Sequence, residues 1–339
     1  MVKLKDVAKK ANVSLATASL ALNDSKLIKE ETKKEVLYWA EKINYIPNIY
    51  ARKLAKGKSY NICIMINSKN FFESPNIYYL KIIGGVIKES EDTEYTVSFS
   101  FYRDKEELKL LSKKRNKHNM DGIMILDVIE KNMLDNLIKD LKIPIVLIDN
   151  HKKFKNIYGV DNDDFGGSYK ATKYLIDLGH KRIGYIGYPD KHPLGKECWG
   201  GFKKALSDNN LREYCVYKKC RSFKSVIKSG RNAMAELLEK KLIPSAFFCA
   251  SDYLAIGAIE VLRNKGYKIP ADVSFIGMDD MELSSEIEPH LTTVRINMEE
   301  LGRVGIKKLI SIINNNYSGE VKTIISNEIV ERRSCSRIN

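Results

Sequence analysis

The chain has 339 residues, 44% of them apolar, and a formal net charge of +14. That length exceeds what one compact domain needs, and the apolar share supports a large buried core and argues against general disorder. No run of about 18 apolar residues offers a membrane span.

The start, MVKLKDVAKKANV, is charged throughout and lacks the apolar segment of a signal peptide, which points to the cytoplasm. Six cysteines (Cys63, Cys198, Cys215, Cys220, Cys249 and Cys335) form no CxxC pair. The histidines form no HExxH pattern. Free thiols, no metal and no cofactor are expected.

Residues 1–60 hold 13 Lys and Arg against 6 Asp and Glu, a net of +7. Half of the chain's charge thus sits in less than a fifth of its length, which suggests a polyanion as partner, nucleic acid first. Lys5–Ala11 is helix-friendly and gathers Val7, Ala8 and Ala11 on one side. Asn12-Val13 makes a short turn, and Ser14 can cap a second helix, Leu15–Leu22, that Asn23 ends. A third helix, about Glu30–Asn44, spaces Val36, Trp39, Ala40 and Ile43 by three, four and seven. Three short helices with a tight turn between the first two describe a helix-turn-helix unit. Ala18 and Leu22 should face inward. The outward set is Leu15, Ala16, Ser19 and Leu20, with Ser14, Thr17 and Asn23 at its edges. This second helix, LATASLAL, is uncharged. Small neutral residues let a reading helix approach base edges in the major groove, while lysines around it attract phosphates.

In YIPNIYARKLAKGKS (45–59), Pro47 blocks helix continuation, Asn48 can cap a new short helix, and Gly57 and Ser59 mark a linker. Here, with DVAKKANVSLATASLALN before it, the sequence closely resembles the LacI/GalR family of bacterial transcription regulators. The resemblance implies a hinge helix over Asn48–Ala55 that folds when two protomers meet on an operator. Asn48, Ala51 and Leu54 would then touch DNA, with Leu54 wedged into the minor groove. It also implies a nucleoid-associated protein.

Beyond residue 60, YNICIMI (60–66), YTVSFSF (95–101), GIMIL (122–126), PIVLI (144–148), KRIGYIG (181–187), PSAFFCA (244–250) and DVSFIG (272–277) read as short strands. Helical stretches such as Tyr79–Glu91, Lys131–Leu141, Phe165–Leu178 and Asp252–Lys265 separate them. That alternation means parallel sheets covered by helices, and about 280 residues suit two doubly wound lobes. Ligands bind such folds at the carboxyl ends of the strands.

The resemblance continues through NIYYLKIIGGVIK, VDNDDFGG, GHKRIGYIG, PSAFFCASDYLAIGAIEVL, IPADVSFIGMDD and PHLTTVRINMEELG. It implies an N-terminal all-α helix-turn-helix domain (1–46) and a hinge helix with linker (47–59). An α/β two-lobed core with parallel sheets, similar to periplasmic binding proteins, would cover 60–333. Lobe 1 would span about 61–160 and 290–320, lobe 2 about 161–289 and 321–333, and 334–339 would be a tail.

The effector candidates that this resemblance implies are Tyr78 and Tyr79 as stacking rings, and Asp127, Asp161, Asp252 and Asp279 as hydrogen-bond acceptors. Phe223 falls near another pocket aromatic. Ser251 stands where an asparagine is common. Cys198 occupies the place of an arginine clamp three residues before Gly201-Phe202, and Trp199 beside it could help to build a different pocket. Leu20 also stands where relatives carry an arginine, so the operator is expected to lack a strong guanine requirement there.

The implied function is a repressor of a carbohydrate-utilisation operon. It would act as a homodimer on a palindromic double-stranded operator under control of a small ligand, a sugar or sugar derivative, in the cleft between the lobes. A cytoplasmic solute-binding protein, or a regulator controlled by a corepressor protein without a sugar, is the alternative. Catalysis is not expected: there is no P-loop, GxGxxG, GxSxG or metal set.

Overall fold

The computed structural model describes residues 2–23, 25, 27–45, 58–73, 77–114, 120–126, 128–152, 154–220 and 225–338. The expected hinge residues Asn48, Ala51 and Leu54, and the expected effector residues Asp127 and Phe223, lie outside them. The chain divides into two compact units, 1–60 and 61–339.

The first unit is helical: α1 Leu4–Lys10, α2 Leu15–Leu22 and α3 Glu30–Lys42. The α1–α2 turn closes because Asn12 takes a left-handed conformation (φ 53°), which asparagine tolerates better than most residues, and Val13 N–H reaches the Ala8 carbonyl at 3.0 Å. Ser14 Oγ then accepts from Thr17 N–H at 3.0 Å and starts α2. The core is Val7, Ala8, Ala11, Ala18, Ala21, Val36 and Ala40, with Leu22, Trp39 and Ile43 packed at its edge. Alanine dominates it, so the helices approach closely.

The second unit contains two six-stranded sheets. The first runs β11 (Lys322–Ile325), β5 (Tyr158–Asn162), β4 (Ile145–Ile148), β3 (Gly122–Leu126), β1 (Asn61–Asn67) and β2 (Thr96–Tyr102). The second runs β12 (Glu328–Val330), β10 (Thr292–Arg295), β9 (Ser274–Asp279), β8 (Ala246–Cys249), β6 (Ile183–Ile186) and β7 (Cys215–Tyr217). Every pairing is parallel except β10 with β12. The inner strands β3, β4, β6 and β8 are buried along their whole length, as sheets covered on both faces require.

The chain crosses between sheets after β5, after β10 and after β11. This corrects two lobe boundaries. Residues 292–295, expected in lobe 1, pair with β9 in the second sheet; residues 322–325, expected in lobe 2, pair with β5 in the first. Nor are the last residues a tail. Ser334 is fully buried, and its Oγ donates to the Phe275 carbonyl at 2.6 Å while accepting from Thr292 N–H at 2.8 Å. Ile338 N–H reaches the Leu178 carbonyl at 2.9 Å.

One close approach fixes the cleft-bearing helix Ile77–Ser90. It packs on the helix Met298–Ile313 through Gly85 and Gly302. A Cβ on either would lie 2.0 Å from a backbone oxygen of the other helix, Glu299 O or Ile82 O, so no larger residue fits.

Candidate functional site

In the first unit the inward side of α2 is Ala18 and Ala21. Leu15 (54% exposed) and Leu20 (38%) point outward with Ala16, and Thr17, Ser19 and Asn23 are half-buried. Asn23 Nδ2 donates to the Ser19 carbonyl at 2.8 Å and closes the helix. Lys5, Lys9 and Lys10 of α1 are exposed. The arrangement is a neutral, small-residue helix face with cationic neighbours, which can enter a groove without ionic desolvation on its own face.

In the second unit a cavity of about 150 Å³ lies at the carboxyl ends of the strands of both sheets. Leu126, Ile148 and Asp149 reach it from the ends of β3 and β4, and Ala250, Ser251, Asp279 and Ile296 from the ends of β8, β9 and β10. Tyr78, Tyr79 and Ile82 line it from the helix Ile77–Ser90, and Asn70, His151, Asp164, Tyr188, His192 and Tyr253 supply further polar groups.

Its charged centre is His151 between two carboxylates. Nε2 lies 3.1 Å from Asp149 Oδ1 and Nδ1 lies 3.2 Å from Asp164 Oδ2. Asp149 and His151 both adopt left-handed backbone (φ 55° and 58°), a double kink after β4. Tyr78 donates its hydroxyl to Asp149 Oδ2. Asn162 Nδ2 donates to Asp164 Oδ1. Burial disfavours the imidazolium, but the Asp149 charge and then the Asp164 charge outweigh it and hold His151 up at about 10. Burial also pushes Asp149 up, yet the His151 charge and hydrogen bonds bring it below the usual carboxylate value. For Asp164 burial wins over His151 and raises it to about 7. Asp279 is raised well above the usual carboxylate value, by burial first and the Asp252 charge second, while Ser251 Oγ donates to its Oδ2 at 3.0 Å. His192 is lowered by burial and by the His151 charge.

Of the expected effector residues, Tyr78, Tyr79, Ser251 and Asp279 line this cavity. Four others do not. Asp161 is buried behind it, accepting from Asn150 N–H at 2.9 Å and paired with Lys322, so it ties β5 to β11. Asp252 accepts from Met281 N–H at 2.9 Å, Ser284 Oγ at 2.7 Å and Thr293 Oγ1 at 2.5 Å, an internal knot that leaves it fully buried. Cys198 is fully buried with Sγ 3.9 Å from Met278 Sδ, and burial pushes its thiol far up. Trp199 packs on Tyr185 and Phe202, with Lys218 Nζ 4.4 Å from its ring centre. All six cysteines are free thiols.

The comparisons with known proteins match both units. The sequence description "Bacterial regulatory proteins, lacI family" matches residues 3–48, and "Periplasmic binding protein-like domain" matches residues 172–335. The "Probable HTH-type transcriptional repressor ExuR" of Bacillus subtilis (strain 168) is 32% identical over all of this chain and 99% of its own length. The chain belongs to the LacI family.

The HTH-type transcriptional repressor PurR of Pasteurella multocida is 31% identical over 98% of this LacI-family chain and 98% of its own. Among solved structures, the CelR–cellobiose complex superposes with a TM-score of 0.71 at 25% identity, covering 98% of this chain and 100% of that one. The LacI family consists of DNA-binding transcriptional regulators and not enzymes, and this member carries both of its parts.

Sequence reasoning missed Asp149, His151, Asp164 and His192. Asp164 lies inside VDNDDFGG, where the resemblance implies Asp161 instead. Strand-end position after β4 could have flagged Asp149.

Proposed function

We propose that this LacI-family regulator is a cytoplasmic, nucleoid-associated repressor that binds a palindromic operator as a homodimer and is controlled by a carbohydrate in the cleft of its second unit. The observation that carries the ligand part is the cavity at the carboxyl ends of both sheets, lined by the aromatic residues Tyr78, Tyr79, Tyr188 and Tyr253 and by the polar residues Ser251 and Asp279. A solved relative of the same fold binds cellobiose. The dimer part is supported by an exposed apolar surface in the first sheet's layer: Phe72 (69%), Leu80 (51%), Ile87, Phe99 and Phe101. A twofold protein presents α2 twice, and a twofold site follows from that symmetry. Leu20 contributes apolar contact only, so the half-site has no strong guanine requirement opposite it.

Selection of genomic fragments by purified protein, with and without a monosaccharide mixture, tests this. The expected result is a short inverted repeat whose capture changes with the mixture. Leu80→Asp with Ile87→Asp should give a monomer by light scattering and lose capture. Sequence-blind binding that only salt weakens, or a double variant that stays dimeric, would overturn the corresponding part.

A further inference from the structure

The cleft is rich in carboxylates and, among its described lining residues, has no lysine or arginine. Asp149, Asp164 and Asp279 all face it, against two histidines: His151, whose two ring nitrogens are already engaged by Asp149 and Asp164, and His192, whose protonated form burial and the His151 charge disfavour. Asp164 Oδ2 is buried, accepts no hydrogen bond, and has His151 Nδ1 at 3.2 Å as its charge partner. Asp279 receives one hydrogen bond, from Ser251, and forms no ion pair among the described residues. Its neighbours in charge are further carboxylates: Asp252, Asp164 and Asp149. Burial beside these carboxylates disfavours the charged form of Asp279, and an ammonium group entering with the ligand would restore that form and pair with it.

We propose that the ligand is a cationic carbohydrate, a hydroxylated ring carrying a protonated amine, with Asp279 and Asp164 receiving the ammonium group. This rests on the carbohydrate reading above and narrows it. A metal ion is the weaker occupant of the same charge. The three side chains Asp149, His151 and Asp164 bring ligand atoms within 4.8 Å of one another, but the imidazole lone pair a metal needs is taken. An acidic sugar is disfavoured, because it would add a fourth carboxylate with no guanidinium or ammonium group among the described lining residues to meet it.

The test is calorimetric and thermal-shift titration of the full chain with matched sugars: glucosamine, galactosamine and mannosamine, their neutral parents, and glucuronate and galacturonate. At least one amine should bind roughly tenfold or more tighter than its neutral parent, the worth of a charge-assisted hydrogen bond. Asp279→Asn, nearly isosteric and able to keep the bond from Ser251, should erase that preference, and Asp164→Asn should weaken it. A neutral or acidic sugar that binds as tightly as its amine would overturn the proposal. So would the absence of any amine binding at ~10 mM, a concentration at which even millimolar affinities register. Divalent metal that displaces the amine through Asp149 and His151 would also overturn it. The carbohydrate reading fails separately. A neutral sugar that releases the operator sinks this inference and leaves that reading standing. An amine that binds without touching operator affinity does the reverse.

Discussion

Removing His151 should damage the cleft more than its size suggests. The imidazolium is 6% exposed and lies between Asp149 (17%) and Asp164 (2%). In His151→Gln the two carboxylates face each other with no cation between them, and breaking a buried charge cluster this way costs about 3–5 kcal/mol. Adding Asp164→Asn removes one of the opposed charges, so the double variant should recover at least half of the loss. The readout is urea unfolding followed by Trp199 fluorescence in a Trp39→Phe background, which reports the second unit alone because those are the chain's two tryptophans. The pH dependence has a definite sign. Folded His151 keeps its proton to about 10, against about 6.5 for an unperturbed histidine. Its stabilisation is therefore complete below about 6.5 and is lost as the pH rises toward 10. The double variant, lacking the histidine, should show no such decline. A single-variant loss below about 1 kcal/mol, or a double variant as unstable as the two losses added, would refute the clamp.

The same unfolding assay should show that Asp252→Ala costs at least about 3 kcal/mol, because three donors, Met281 N–H, Ser284 Oγ–H and Thr293 Oγ1–H, lose their acceptor. A loss under about 1 kcal/mol would mean that water replaces it. Lys308 Nζ donates to the Gly159 carbonyl at 3.0 Å, the Glu320 carbonyl at 3.1 Å and Thr323 Oγ1 at 2.7 Å, so Lys308→Met should speed hydrogen exchange across 320–325 ahead of the rest of the first sheet. Uniform exchange across that sheet would contradict the role. In the first unit, Leu20→Arg should add a guanine preference at one half-site position in selected sequences, while Leu20→Ala should leave the selected site nearly unchanged. A near-invariant guanine opposite the native leucine would sink this reading.

The parts of the fold that were legible are those where burial and period coincide. GIMIL, PIVLI and AFFC are continuous apolar runs because their strands are covered on both faces, and each forms a strand within a residue or two of its expected place. LATASLAL was readable as a helix because Ser14 caps it, but of its two expected inward residues only Ala18 is buried; Ala21 takes the place expected for Leu22, which packs half-buried at the edge. The short outer strands Cys215–Tyr217, Lys322–Ile325 and Glu328–Val330 are only half-buried, so no apolar run announces them. The sheet to which residues 292–295 or 322–325 belong depends on where the chain crosses, and local pattern carries no record of a crossing.

The site divides along the same line. Ser251 and Asp279, which the family resemblance implied, lie at the ends of strong strands, in keeping with the rule that ligands meet strand ends. Asp252, one residue beyond Ser251, was implied by the same resemblance but turns inward, because the helix it begins directs its carboxylate at Met281, Ser284 and Thr293 instead of the cavity. His151 escapes the rule altogether. It enters the cleft only because Asp149 and His151 both take left-handed backbone, a strained pairing that aspartate and histidine tolerate better than most residues but that the letters IDNHKK do not specify. Such strain persists only where surrounding contacts over-determine it, and here those contacts are the charges themselves: Asp149 and Asp164 hold the imidazolium that the kink delivers. Asp279, beside the same carboxylates, has no ion pair among the described residues, so the feature least visible in the sequence underlies the charge we propose for the ligand.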